Sequence, residues 1–347
     1  MPAVSVSGGG GDNGFPPGRD FRCMGDTDPR RVIVDTDTAG DDTQAILLCC
    51  LTDRLEVEAL TVVAGNVPFD YEVENAKYTL SLVDREDVPV YEGAREPLLK
   101  DYEHAEYVHG EGGLGGDLFP ETGIESAEGF GPDAIVERAR EAPGELSLLC
   151  IGPLTNLALA LAREPDLPDL LDDVWVMGGA VECGGNVTPA AEYNFWVDPD
   201  AAMRVVREFE VHLVDWGVCV RDGVFGPDTL DRIAGTDTEL AGFFETITAT
   251  VREFTADQQG IDGTTQPDSL AAALLAYPEL RGSVERYHVA VDEREGLTRG
   301  YSAVDTDGVT DGEPRTHVVE SADAVAYREV HLSILERGDP DRALRSE

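Results

Sequence analysis

Arg31-Val-Ile-Val-Asp35-Thr-Asp37-Thr-Ala-Gly40-Asp41-Asp42 joins an apolar run to four aspartates within eight residues. Val32, Ile33 and Val34 read as a buried parallel strand, and Gln44-Ala-Ile-Leu-Leu-Cys-Cys-Leu51 as the apolar helix that follows it. In open α/β sheets ligands sit beyond the carboxyl ends of the strands, where these aspartates would lie. Carboxylates that close together repel one another unless a hard cation or a polyhydroxyl ligand takes up their charge. The plainer reading, that Asp41 and Asp42 only cap the helix, accounts for two of the four.

The same beat continues along the chain. A β-rich run, Val57 to Val63, ends in Ala64-Gly65-Asn66 and is followed by a helical stretch from Asn75 to Val83. A short strand at Val88 to Tyr91 leads to a glycine-rich loop, His109-Gly-Glu-Gly-Gly-Leu-Gly-Gly116, and a helix from Asp133 to Glu141. Further strands are predicted at Glu145 to Ile151, Val174 to Met177 and Val211 to Asp215, with a helix from Pro199 to Phe209. Leu240 to Phe254 reads as a helix, and a second apolar helix follows Gln266-Pro267-Asp268-Ser269. Tyr287 to Val319 alternates like an antiparallel excursion before a closing helix from Tyr327 to Arg337. The expected fold is therefore α/β, a single open, mostly parallel, Rossmann-like sheet flanked by helices, with a small antiparallel C-terminal excursion. With no internal repeat and no interdomain linker, residues 29–347 are expected to form one domain. Residues 1–28, rich in Gly, Pro and Ser, are expected to be a disordered extension, and Met24 is a candidate start.

Composition narrows the partners. Asp and Glu number 69 against 26 Lys plus Arg, a net charge of -43, and Lys77 and Lys100 are the only lysines. Such a surface resembles that of a halophilic protein, in which high salt screens the self-repulsion. Nucleic acid is excluded as a partner, since no basic face is visible to meet phosphates. Six cysteines without a C-x-x-C pair read as reduced thiols. There is no secretory signal and no apolar stretch of membrane-spanning length, so the expected location is the cytoplasm.

Residues able to carry chemistry recur at the predicted strand ends. The signature Asp35-Thr-Asp37-Thr-Ala39-Gly40-Asp41-Asp42 is followed in order by Val62-Val-Ala-Gly-Asn66, His109-Gly-Glu-Gly-Gly-Leu114, Ile151-Gly-Pro-Leu-Thr-Asn156 and Met177-Gly-Gly179. Asn186 and Glu192-Tyr-Asn194-Phe-Trp-Val-Asp198-Pro complete the series. In this set, from about Arg31 to Pro340, the chain resembles the inosine-uridine-preferring nucleoside hydrolases. That resemblance implies hydrolysis of the N-glycosidic bond of a ribonucleoside or related N-ribosyl compound to free base and ribose. It also implies one Ca²⁺ held by Asp37, Asp42, the backbone carbonyl of Ile151 and Asp268. Asp41, Asn66 and Asn194 would grip the ribose hydroxyls, with Met177 at the same site and Asn186 and Glu192 at the 5′-hydroxyl. Asp37 would take a proton from the attacking water, and a homodimer or homotetramer is implied by the same analogy. An all-oxygen ligand set drawn from several strand ends suits calcium on chemical grounds as well.

Two positions depart from that family's pattern. Thr38-Ala39-Gly40 stands where Pro-Gly and an aliphatic residue are usual, and Gly40 is expected to supply a positive φ at the turn. Pro267 stands where many members carry a histidine that can protonate the leaving base. His109 is then the candidate acid, with Tyr102, Tyr107 and Phe254 as candidates to stack on the base, while packing alone would also account for each of them. Asn156 is expected to cap or hydrogen-bond locally. Two other readings compete. Val32-Ile-Val-Asp35-Thr-Asp37-Thr resembles the nucleophile strand of haloacid-dehalogenase-type phosphatases, but Lys77 and Lys100 sit too early to serve that chemistry. A non-catalytic nucleoside- or ribose-binding protein would keep the sugar contacts and release no ribose.

Overall fold

In the computed structural model, residues 28–116, 118–181, 183–256, 260 and 262–345 are described; the expectations for residues 1–27, Cys23 and Met24 included, lie outside them. Eleven strands are found among these residues. They are β1 (Arg30–Thr36), β2 (Leu55–Val62), β3 (Val90–Glu92), β4 (Leu146–Cys150), β5 (Leu171–Met177), β6 (Val211–Val214), β7 (Val224–Phe225), β8 (Thr264–Thr265), β9 (Val284–Val291), β10 (Ser302–Asp305) and β11 (Thr316–Val319). Nine of them form one sheet in the order β10-β9-β11-β6-β5-β4-β1-β2-β3, and β7 pairs with β8 in a separate ribbon.

Period-two alternation gives each central strand two apolar faces. Val32 and Val34 enter one core, with the helices Gly40–Leu51, Phe69–Ser81, Glu239–Phe254, Pro267–Ala276 and Ala324–Arg337. Ile33 enters the other, with the helices Gly131–Glu141, Thr155–Arg163 and Pro199–Glu208. The result is three layers, helix on sheet on helix, as the unbroken apolar runs of the strands require.

From β1 the chain builds outward through β2 to β3, then crosses back to β4 on the other side of β1 and builds toward β6. The order of the sheet thus reverses between β1 and β4, which lie parallel from Arg31 opposite Leu146 to Asp35 opposite Cys150. Connections leaving such a pair run to opposite faces and open a crevice at the carboxyl ends. Asp37 follows β1 and Ile151 follows β4 directly, so both stand at that crevice.

The C-terminal excursion differs in part from expectation. β9 is antiparallel to β10 and to β11, as the alternation suggested, but β11 pairs with β6 in parallel and so extends the main sheet. The ribbon β7–β8 and the helices Trp216–Asp222 and Pro227–Ala234 were not expected. Nor is the His109 segment all loop, since a helical turn, Glu106–His109, precedes the glycines.

Candidate active site

The apolar strand β1 drives its carboxyl end into the interior, and Asp35, Thr36, Asp37 and Thr38 are fully buried there. Thr36 Oγ1 donates to Asp42 Oδ1 at 2.6 Å and the Ala39 amide to Asp42 Oδ2 at 3.1 Å, so Asp42 does fasten the start of its helix. Gly40 opens that helix without a positive φ, contrary to expectation. Its bare Cα instead leaves room for the His109 ring, whose Nδ1 would lie 3.1 Å from an added Cβ.

The apolar helix Pro267–Ala276 packs against Gly40–Leu51 and is buried along its whole length. Pro267 suits the first helical position, where no amide hydrogen is needed and φ is already fixed. Asp268 is thereby delivered beside Asp41 and Asp42, and one oxygen from each of the three lies within 4.8 Å of the others. Each sits in the first turn of its helix, where the positive end of the helix dipole offsets part of the repulsion.

Asp37 is turned toward Asn66. Its Oδ2 accepts the Asn66 amide hydrogen at 3.1 Å, while Asn66 Nδ2 donates to the Asp37 carbonyl at 3.2 Å and to Asp42 Oδ2 at 3.3 Å. Asp37 Oδ1 is buried and accepts no N–H or O–H from the described residues. Glycine is obligatory on either side of this carboxyl: a Cβ on Gly65 would stand 2.0 Å from Asp37 Oδ2, and one on Gly152 2.8 Å from Oδ1.

Burial pushes the Asp37 and Asp268 carboxyls well above the usual carboxylate range, and neighbouring carboxylates push them further. Burial, with Asp41 adding to it, brings Asp42 up to about 7. These groups resist ionising together in a dry site. The donors are all oxygen, clustered and in part unpartnered, so a hard divalent cation fits them and a soft one does not.

The facing wall is made of amides. Glu192 is the N-cap of the helix Tyr193–Val197: its Oε1 accepts from the Asn194 amide at 2.8 Å, and its Oε2 from Gly179 at 2.8 Å and Phe195 at 3.2 Å. Burial raises its pKa to about 7 against the pull of these three donors. Asn194 Nδ2 donates to the carbonyls of Ile151 at 3.0 Å and Met177 at 3.2 Å, and Asn186 Oδ1 accepts from the Tyr193 amide at 2.8 Å.

One cleft unites the two walls. Asp41, Asn66, His109, Ile151, Met177, Asn186, Glu192, Asn194 and Asp268 all line it, and Asp37 and Asp42 lie buried behind Asn66. Tyr107 and Phe254 meet edge to face at 5.5 Å on its wall. Tyr102 does not line it; it packs beside Ala105 and Tyr193 and meets His104 edge-on. His109 is buried, and that burial lowers its pKa although Asp41 pulls the other way. Asn156 bonds far from its own helix, to Asp35 Oδ1 at 2.7 Å, the Val62 carbonyl at 3.1 Å and the Ala94 amide at 2.8 Å, which corrects the local role expected of it. Sequence reasoning missed Trp216, which also lines the cleft; it follows Asp215 at the end of β6, so the strand-end rule would have found it.

Residues 32–329 match the family described as inosine-uridine preferring nucleoside hydrolase. The chain belongs to that family. It is thereby an enzyme that splits ribonucleosides into base and ribose. It is 33% identical over 296 residues to the pyrimidine-specific ribonucleoside hydrolase RihA of Photobacterium profundum, covering 84% of this chain and 93% of that protein. It is 34% identical over 278 residues to probable uridine nucleosidase 2 of Arabidopsis thaliana, covering 79% and 85%. Among solved structures, a plant nucleoside hydrolase superposes with a TM-score of 0.83 at 27% identity, covering 89% of this chain and 99% of that one. A purine-preferring ribonucleoside hydrolase from Gardnerella vaginalis does so with a TM-score of 0.81 at 26% identity, covering 90% and 99%. The phosphatase reading falls with these findings, and the structure agrees: Lys77 pairs with Glu74 at 3.0 Å, Lys100 with Asp200 at 3.1 Å, and neither lines the cleft.

Proposed function

We propose that the chain hydrolyses ribonucleosides in a Ca²⁺-dependent reaction in which Asp37 is the general base. The observation that supports this most directly is the placement of a buried carboxyl with an unpartnered oxygen, Asp37, against the oxygen cluster of Asp41, Asp42 and Asp268 at the switch point of the sheet. Asp37, Asp42, Asp268 and the Ile151 carbonyl would hold the cation. When bound, it supplies positive charge that offsets the clustered carboxylates and polarises the oxygens brought to it.

The remaining work belongs to side chains. Asp41, Asn66 and Asn194 hold the ribose hydroxyls, and Asn186 and Glu192 receive the 5′-hydroxyl beside Met177. This fixes the anomeric carbon before Asp37. Asp37 removes the proton of the attacking water as the N-glycosidic bond opens, and the surrounding carboxylates and amide oxygens favour the positive charge that develops on the sugar. Pro267 brings no proton to the departing base. His109 is the remaining histidine on the cleft, and its lowered pKa makes it a neutral hydrogen-bond donor that steadies the base as it leaves with the bonding electron pair, the base then taking its proton from solvent. The names of the relatives point to pyrimidine and to purine substrates alike, so both classes of base belong in the substrate panel.

The acidic surface and the free cysteines among the described residues support a reducing, high-salt cytoplasm as its setting. Among the described residues no helix is long and apolar enough to cross a membrane. The test is release of reducing sugar from a panel of purine and pyrimidine ribonucleosides in molar KCl, with Ca²⁺ or with a chelator. Release that needs Ca²⁺ is expected; nucleoside binding without release would replace the hydrolase by a binding protein.

A further inference from the structure

Glu72 lies in the first turn of the helix Phe69–Ser81, a position where a glutamate ordinarily faces water. Here it is fully buried. Its Oε1 accepts two backbone amides, Gly65 N at 3.0 Å and Val67 N at 3.1 Å, which flank Asn66. Asn66 turns the other way and gives its own amide to Asp37 Oδ2 and its side chain to Asp42 Oδ2. The Asn66 carbonyl accepts the Ala105 amide at 2.7 Å, and the Gly65 carbonyl accepts the Tyr193 hydroxyl at 2.9 Å. Three consecutive residues are thus held from behind by one carboxyl while the middle one faces the acidic site.

The location is costly. Among the described residues no cation pairs with Glu72, and its Oε2 is buried with no hydrogen-bond partner. An apolar side chain would be easier to bury at the same place, since a buried carboxyl rarely adds net stability. What it supplies is location: one atom accepts both amides and fixes the turn within hydrogen-bond reach of Asp37.

We infer that Glu72 is a positioning residue of the reaction, holding the Gly65–Val67 turn so that Asn66 orients Asp37 and meets the sugar. This rests on the hydrolase reading above and adds to it a residue that touches neither substrate nor cation. The role requires an acceptor at that point, not a negative charge.

The experiment compares Glu72→Gln, which retains an acceptor oxygen, with Glu72→Met, which has similar length and none. Ribose release is measured in molar KCl with Ca²⁺, alongside thermal melting and amide hydrogen exchange of residues 64–68. The Met variant is expected to fold, to exchange this turn at least about tenfold faster, and to lose kcat by about ten- to a hundredfold, the scale of one or two buried hydrogen bonds. The Gln variant is expected to stay within about threefold of wild type in kcat, well inside one such bond. Wild-type kcat in the Met variant, losses in Gln as large as in Met, or a Met variant that does not fold would each overturn the proposal, the last by making Glu72 a determinant of the fold. Absence of ribose release from the wild type would strike the hydrolase reading instead, and exchange at residues 64–68 would still report whether Glu72 holds the turn.

Discussion

The wall that carries Asp37, Asp41, Asp42 and Asp268 and the wall that carries Asn186, Glu192 and Asn194 are built from equally polar residues, yet they are satisfied in different ways. On the second wall peptide groups answer the side chains: both Glu192 oxygens take backbone amides, and the Asn194 amide is shared between two carbonyls. On the first wall carboxylates face one another, and burial with mutual repulsion drives their pKa values up. A polypeptide can complete the amide wall unaided, whereas the acidic wall needs a charge from outside to reach its working state.

The contrast is broken most severely at Asp37. Asp37→Asn keeps an oxygen for the Asn66 amide and removes both charge and basicity, so ribose release should fall by about 10²- to 10⁴-fold. Excess Ca²⁺ should not restore it. Asp268→Ala removes one member of the oxygen cluster, and raising Ca²⁺ should recover part of its loss by mass action. A Ca²⁺ titration of both variants is the measurement, and near wild-type turnover in Asp37→Asn at any Ca²⁺ level would sink the general-base assignment.

A smaller effect should appear in stability. Burial raises Asp35, Asp42 and Glu192 to about 7. In protein freed of divalent cations they still hold protons between about pH 4 and 7, where the unfolded chain has lost them. The folded state therefore binds more protons than the unfolded one, and stability falls as pH rises through that window. In chelator and molar KCl, Tm at pH 8 should lie several degrees below Tm at pH 5.5. Ca²⁺ favours the charged form of Asp42 and should shrink the slope, leaving the part owed to Asp35 and Glu192. A chelated Tm that is flat or rises with pH would show that the acidic wall is not short of a cation.

How much of each wall was legible in the sequence follows from how each is built. The β1 run and the helix after it show in their apolar pattern, and the aspartates between them stand out because capping accounts for only two. Asp268 carries no such local signal. Its meeting with Asp41 depends on the packing of two apolar helices more than two hundred residues apart, and only the ordered motifs of a family pointed to it. Glu72 was invisible for the opposite reason, since a glutamate early in a helix reads as solvated. Gly40 was misread because close approach by a side chain and a left-handed turn ask for the same residue. The ribbon β7–β8, two residues on each side, is too short for any period to show.

The smallest of these effects tests whether the amide wall is held from outside as well. Arg299, in the turn between β9 and β10, is almost fully buried, and its guanidinium donates to the carbonyls of Trp196 at 2.9 Å, Val197 at 3.2 Å and Asp101 at 2.9 Å. It also stacks on the Trp196 ring, 4.4 Å from the centroid. Trp196 and Val197 end the short helix that Glu192 begins, so one helix of five residues is capped by a carboxylate at its start and a guanidinium at its end. A carboxyl and a guanidinium thus fix a helix too short to persist alone, and with it the side chain of Asn194. Arg299→Gln keeps a donor but loses the charge and the fork that reaches three carbonyls at once. Because this wall is proposed to hold the sugar and not to activate water, KM for the nucleoside should rise roughly three- to tenfold, about the scale of one ordinary hydrogen bond, with kcat within about twofold. Steady-state kinetics on the best substrate of the panel decides it: a fall in kcat at constant KM would mean that the amide wall shares in the chemistry, and the division between the two walls would have to be redrawn.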